Sequence, residues 1–432
     1  MPDDRIDLHQ EGGNPDPPDP AAPAAPASGV AQKDTAQRTG PPSEPRARSS
    51  LRERFRLARS PVALIRDRFD GMAPVSRFGF LTAGVALAAV LPVLMPHITA
   101  DPAYWTSVLT KVGIAALLAL GLNVVVGFAG LLDLGYVAFF AVGAYTFAIL
   151  SGASRYAIAL TRSDPNAFKL LPTWHMYSWL FFFAALAVAL VAGVILGAPT
   201  LRLRGDYLAI VTLGFGEIVR ITADNLTSVT DGSQGIPQIP HPALTVGPVH
   251  YNFGLNDAAY YWLLLGVIVV WILLLRRINA SRIGRAWAAI REDELAAASM
   301  GVPTIRIKLL AFAMGAAVAS FAGVIYASEY AFIDPGTFQL FSSDFGSVII
   351  LAMVVLGGMG GIAGPILGAG LVIFLPERFR FLGDARFLIF GAVLVIVMVL
   401  RPQGILPSRR RAAELEGGVK DTSVFEAQQH GG

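Results

Sequence analysis

Glu217 and Arg220 stand three residues apart in an otherwise apolar stretch. On a helix that spacing places a carboxylate and a guanidinium on one face, within reach of an ion pair. Ionisable groups inside a bilayer are expensive and mark transport paths. The pair therefore reads either as the lining or gate of such a path, or as a structural pair whose arginine reaches the interface. Asn123, in a second apolar stretch, either lines a path or bridges helices by hydrogen bonds. Glu292, Asp293 and Glu294 form a run of carboxylates where a short helix would begin, at the positive end of its dipole. Asp133 reads as a cap at a turn, and Asp344 as a helix-start carboxylate.

Other chemistries lack their residues. The chain has no cysteine, which excludes disulfides, thiolate metal sites and cysteine nucleophiles. His9, His97, His175, His241, His250 and His430 show no helical metal-ligand spacing, so neither metal nor cofactor is expected, even though His241 and His250 share one loop. There is no Gly-x-x-x-x-Gly-Lys-Ser/Thr phosphate loop, so any ATP hydrolysis must come from a separate subunit. No His–Asp or Ser–His arrangement supports a membrane enzyme such as an acyltransferase. A proton- or sodium-coupled transporter would need intramembrane carboxylates or histidines, and Glu217 alone is well placed for that role.

These residues sit in a hydrophobic frame. Of 432 residues, 54% are hydrophobic and 15% charged, with mean hydropathy +0.56. Crossing the hydrocarbon core takes about 20 apolar residues. Candidate spans fall near 78–96, 107–127, 131–150, 177–197, 207–222, 261–275, 305–328, 343–358, 361–376 and 386–401. The expected fold is an all-α integral membrane protein of about ten transmembrane helices, with a permease domain over 78–401.

Lysine and arginine set the orientation. Loops 97–106, 223–260 and 329–342 hold neither and are placed outside. Arg202, Arg204, the arginines of 276–304 and those of the polar tail 402–432 belong inside, so both termini are expected in the cytoplasm. Two outer loops dissent: 151–176, with Arg155, Arg162 and Lys169, and 377–385, with Arg378 and Arg380. A re-entrant segment among the last spans would account for the second. Residues 1–77 form an extension. Its proline-rich part, 1–45, is expected to be disordered, and its arginine-rich part holds the N-terminus inside or lies on anionic lipid. The arginine clusters signal topology and membrane lipid, not nucleic acid.

Several spans are broken. Span 207–222 carries Gly214 and Gly216, and five of the nine residues from Gly357 to Pro365 are glycine. Broken backbone at membrane depth occurs only inside protein or beside a water-filled cavity, which makes breaks pointers to a transport path. Gly357 and Gly361 have the small-xxx-small spacing of tight helix packing, so packing and substrate contact both stand open.

The polar stretch 281–301 is too charged to span and too helix-prone for a plain linker. It is expected to form two short helices along the membrane surface, ending at Gly301 with Pro303 beyond. Here the resemblance becomes specific. Ala296, Ala297 and Gly301 match the Ala-Ala-x-x-x-Gly pattern of the coupling loop of ATP-binding-cassette importer permeases, although Leu295 stands where the family has a glutamate, with Glu294 one residue earlier. Three further segments resemble the LivM family of branched-chain amino-acid permeases: Gly121–Tyr145, Leu203–Arg220 with Asp231–Ile236, and Gly357–Pro365. They recur in the same order over roughly 107–405.

The resemblance implies a coupling loop over 282–301, with Arg285, Glu292, Asp293, Glu294, Ala296, Ala297 and Gly301 facing the ATPase. It also implies a second permease subunit, as a heterodimer, two cytoplasmic ATPase subunits and a periplasmic substrate-binding protein, in a bacterial inner membrane. The implied cargo is leucine, isoleucine and valine. Similar permeases handle urea and small amides, and that alternative stays open.

Overall fold

A computed structural model describes residues 74–98, 101–151, 174–201, 203, 205–246, 249–254, 256–342, 344–383, 385–400 and 404–406. The expectations for 1–73, for Arg155, Arg162 and Lys169, for Arg202 and Arg204, and for the tail from 407 lie outside these residues.

The longer helices are α1 Pro74–Ile98, α2 Pro102–Asn123, α3 Val137–Leu150, α4 Trp174–Thr200, α5 Asp206–Asn225, α6 Asp257–Ala280, α7 Arg282–Glu292, α8 Glu294–Ser299, α9 Thr304–Tyr330, α10 Ser347–Gly357, α11 Ala363–Arg378 and α12 Ala385–Leu400. Each of the ten expected spans contains a helix. Among the described residues, four stretches are both long and apolar enough to cross a membrane: 102–128, 179–200, 257–280 and 304–330. α10 has only 11 residues, about 16 Å at 1.5 Å per residue, roughly half a bilayer core.

Within lipid there is no hydrophobic force between helices, so association rests on close packing and hydrogen bonds. α9 is built for that and sits at the centre, against α2, α3 and α4. A Cβ on Gly323 would lie 2.2 Å from the Phe140 carbonyl oxygen, and one on Gly143 would lie 2.5 Å from Ser320 Cα. The bare glycines thus let the α3 and α9 backbones touch. Ser320 Oγ adds a hydrogen bond to the Ala185 carbonyl of α4 at 3.0 Å.

The connections gather at two ends. One end holds the α2–α3 loop, the short helices α7 and α8, and the glycine break between α10 and α11. There Asn123 reaches Gly361, Trp287 reaches Ile307 and Leu406 N reaches the Gly357 carbonyl.

The far end holds two small antiparallel ladders. β1 (Ile236–Pro237) pairs with β4 (Phe332–Ile333) in the register Ile236↔Ile333. β2 (Ala243–Val246) pairs with β3 (Val249–Asn252). At this end Tyr104 OH donates to Glu377 Oε2 at 2.6 Å, and the Arg380 guanidinium lies 5.3 Å from the Tyr104 ring centroid. Arg380, one of the cations at odds with the charge rule, thus sits opposite α7–α8 and is held by local partners.

Asp344 does not start a helix. α10 begins at Ser347, and Asp344 pairs instead with Lys111 Nζ at 2.8 Å. Lys111 lies in the first half of α2, and Glu377 Oε1 is a second carboxylate partner at 3.8 Å.

Candidate functional site

The segment from 281 to 301 forms the two short helices its sequence predicts. Ser281 starts α7, its Oγ accepting from Ile283 N at 3.2 Å. Gly284, Trp287 and Ile290 are the buried residues of α7, at the three-residue steps of one helix face. Trp287 is 0% exposed and stacks 6.5 Å from Phe128 at 13°. Its Nε1 donates to the Ile307 carbonyl at 2.8 Å. The opposite face carries exposed Arg282, Arg285 and Glu292, with Arg285 Nη1 donating to the Ala280 carbonyl at 3.2 Å.

The three carboxylates have separate roles. Asp293 caps α8, accepting from Leu295 N at 2.8 Å and Ala296 N at 3.0 Å. Glu294 turns inward to an ion pair with Lys308 Nζ at 2.5 Å, where the lysine side chain is 5% exposed. Glu292 stays in solvent. Ala296 is exposed and Ala297 buried. The outer surface of α8 instead presents Leu295, 63% exposed, and Met300, 85% exposed.

Gly301 ends α8 with φ +82°. Gly301 N donates to the Ala298 carbonyl at 3.0 Å and Val302 N to the Ala297 carbonyl at 3.1 Å. These are the two bonds of a Schellman cap. A Cβ at Gly301 would meet nothing within 4 Å, so glycine is needed there for its φ and not for space.

The proposed path residues fall in two places. Asn123 is fully buried and joins the end of α2 to the glycine break. Its Nδ2 donates to the Gly361 carbonyl at 2.7 Å, and its Oδ1 accepts from Gly360 N at 3.0 Å. Gly357 is a packing glycine, since a Cβ there would lie 2.0 Å from the Gly364 carbonyl oxygen. Gly361 is not crowded, with the Leu406 carbonyl oxygen 3.7 Å from a built Cβ. Glu217 and Arg220 are on α5, away from that cluster. Arg220 Nε donates to Glu217 Oε1 at 2.7 Å, and Arg220 Nη2 makes a second bond to the same oxygen. Both side chains are partly exposed. They border an α5 face on which Tyr207, Ile210, Val211, Ile218 and Ile221 are exposed and Gly214 has open space beside it.

Several residues escaped sequence reasoning. Lys308 is the buried partner of Glu294, and a lysine within a candidate span was its signal. Asp133 closes the turn between α2 and α3, as read, but from a buried position. It is 1% exposed, one oxygen accepts from Gly135 N at 2.9 Å, and the other has no hydrogen-bond partner. Glu329, at the end of α9, is also buried. Glu217 is therefore not alone as a carboxylate within the helical body. His241 Nδ1 lies 2.9 Å from Tyr260 OH and 2.7 Å from the Ser328 carbonyl. Among the described residues no group of three or more ligating side chains could hold a metal ion.

Long apolar helices, small-residue packing, a broken helix pair and an amphipathic surface segment define a polytopic helical membrane protein. Residues 104–400 match the family described as the branched-chain amino acid transport system permease component, and the chain belongs to that family. It is 40% identical over 361 residues to the high-affinity branched-chain amino acid transport system permease protein LivM of Escherichia coli K12, covering 79% of this chain and 77% of that protein. Over 304 residues it is 26% identical to the LivH permease protein of Salmonella typhimurium, covering 67% of this chain and 90% of that one. No solved structure matches it.

Proposed function

We propose that this chain is the LivM-type membrane subunit of an ATP-driven importer for leucine, isoleucine and valine. It crosses the inner membrane about ten times with both termini in the cytoplasm. A LivH-type permease is its partner, two cytoplasmic ATPases drive the pair, and a periplasmic binding protein delivers substrate.

The observation that carries this reading is the α7–α8 segment. It is capped at Ser281, Asp293 and Gly301 and anchored through Trp287. It also presents Leu295 and Met300 outward. A rigid pair of helices with apolar side chains on a polar surface suits insertion into a groove of a partner protein. Arg282, Arg285 and Glu292 form the polar rim. Both LivM-like and LivH-like relatives are recognisably similar to this chain, as expected of two subunits sharing one fold.

The test is gentle extraction of the tagged chain from its native membrane, with identification of what co-purifies. Two ATPases and a second permease are the expected companions. A chain that emerges alone, even after cross-linking, refutes the reading.

A further inference from the structure

Between Asn123 and Gly130 the end of α2 is not an ordinary helix. Val124–Phe128 forms a π turn, closed by Ala129 N to the Val124 carbonyl at 3.2 Å and Leu131 N to the Val125 carbonyl at 3.0 Å. Such turns recur at functional sites because they leave backbone groups without their usual helical partners. The Gly127 carbonyl is bonded from outside the helix, by Arg291 Nη1 at 2.8 Å. The guanidinium therefore caps the negative end of α2, where a cation is favoured. Gly130 makes room for it: a Cβ there would lie 2.7 Å from Arg291 Cγ, and its φ of +73° also favours glycine.

Four residues back, Asn123 clasps Gly360 and Gly361 with two hydrogen bonds. Gly127 itself lies under that clasp, since a Cβ on it would be 2.7 Å from Gly360 N. Polar contacts thus tie the last turn of α7 to the π turn, and Asn123, one turn earlier on the same stretch of backbone, ties it to the break between α10 and α11. A charged donor on a carbonyl adds a directional contact to the surrounding apolar packing.

We propose that Arg291 is the positioning residue that transmits movement of the α7–α8 segment to the broken helix pair, acting through the Gly127 carbonyl and Asn123. This rests on the importer reading above, because the movement has to come from the ATPases.

The experiment uses the complete importer in proteoliposomes, with labelled leucine as probe. Uptake and ATP hydrolysis are measured on the same preparation. Loss of one charged hydrogen bond shifts an equilibrium by roughly 10–150-fold, so Arg291→Ala is expected to lower leucine taken up per ATP hydrolysed by about tenfold or more while hydrolysis continues. Arg291→Lys, which keeps charge but not the fork, recovers only part. Gly130→Ala keeps the arginine and pushes it off the π turn, so it uncouples as well. Asn123→Ala combined with Arg291→Ala is no worse than the more severe of the two alone, because the contacts act in series.

Normal uptake per ATP in either Arg291→Ala or Gly130→Ala overturns the relay, as does an equal loss of uptake and hydrolysis. If Arg291→Ala fails to assemble, Gly130→Ala and Arg291→Lys decide. An unaltered complex with no ATP-dependent leucine uptake sinks the importer reading and the relay together. A normal unaltered complex with fully coupled variants sinks the relay alone.

Discussion

Replacement of Gly301 separates two reasons why a glycine could matter at the end of α8. The backbone there has φ +82°, which costs an ordinary L-residue about 1–2 kcal/mol. A new Cβ touches nothing within 4 Å, so no clash adds to that cost inside this chain. About 1–2 kcal/mol is a factor of roughly 5–30 in a local equilibrium. The six-residue α8 depends on its caps, because a helix this short has no cooperativity of its own. If backbone strain decides, the order follows left-handed tolerance: Gly301→Asn is mildest, Gly301→Ala intermediate and Gly301→Val worst. If instead the side chain obstructs a docked partner, the order follows size, and Gly301→Ala is mildest. The assay is ATP-dependent leucine uptake, normalised to the amount of chain in the membrane. An alanine variant that outperforms asparagine refutes the backbone argument, and wild-type uptake by all three refutes any role for the cap.

Other expectations follow from single contacts. Glu294→Gln leaves the buried Lys308 ammonium without its counter-charge and is expected to cost about 3 kcal/mol. Lys308→Met leaves a carboxylate that is 32% exposed and so costs less; thermal unfolding of the purified complex gives the order, and the reverse order contradicts the assignment. Gly135→Ala places a Cβ 1.9 Å from the Thr212 carbonyl oxygen, and because backbone must move, the chain should fail to accumulate in the membrane, as an immunoblot would reveal. Glu217→Gln removes the charge partner of Arg220 on a partly exposed helix face; uptake should change while membrane level holds, and unchanged uptake would return the pair to a structural role. Deleting residues 1–45 should leave uptake intact, since the family match begins at residue 104; normal membrane levels without uptake would assign the extension a function.

Much of the helical plan was legible because span length and apolarity are one-dimensional properties. The helix positions, the two short helices of 281–301 and the Gly301 stop all followed from local composition, capping chemistry and φ preference. The Glu217–Arg220 pair was legible for the same reason, as its spacing lies within one helix turn. Residues whose partners lie far away in sequence were not. Lys308 and Glu294 are separated by a loop and a helix start, and Lys111 meets Asp344 across more than two hundred positions. Asp344 looked like a helix-start carboxylate because sequence gives the position of a charge but not its direction.

The glycine-rich stretch shows the same division. Composition alone marked a break near 357–365 and favoured packing over path contact without deciding between them. The tertiary structure shows which glycine is crowded: Gly357 presses against the α11 backbone, whereas Gly361 is held by Asn123 through its carbonyl. By itself the sequence determined a polytopic helical plan with a polar surface segment, since hydropathy and local backbone preference need no distant partner. The three-dimensional packing decided which charge meets which, which glycine is crowded, and that Arg291 rests on the end of α2. Those facts depend on which surfaces of separate helices come into contact, and no local pattern along the chain encodes that.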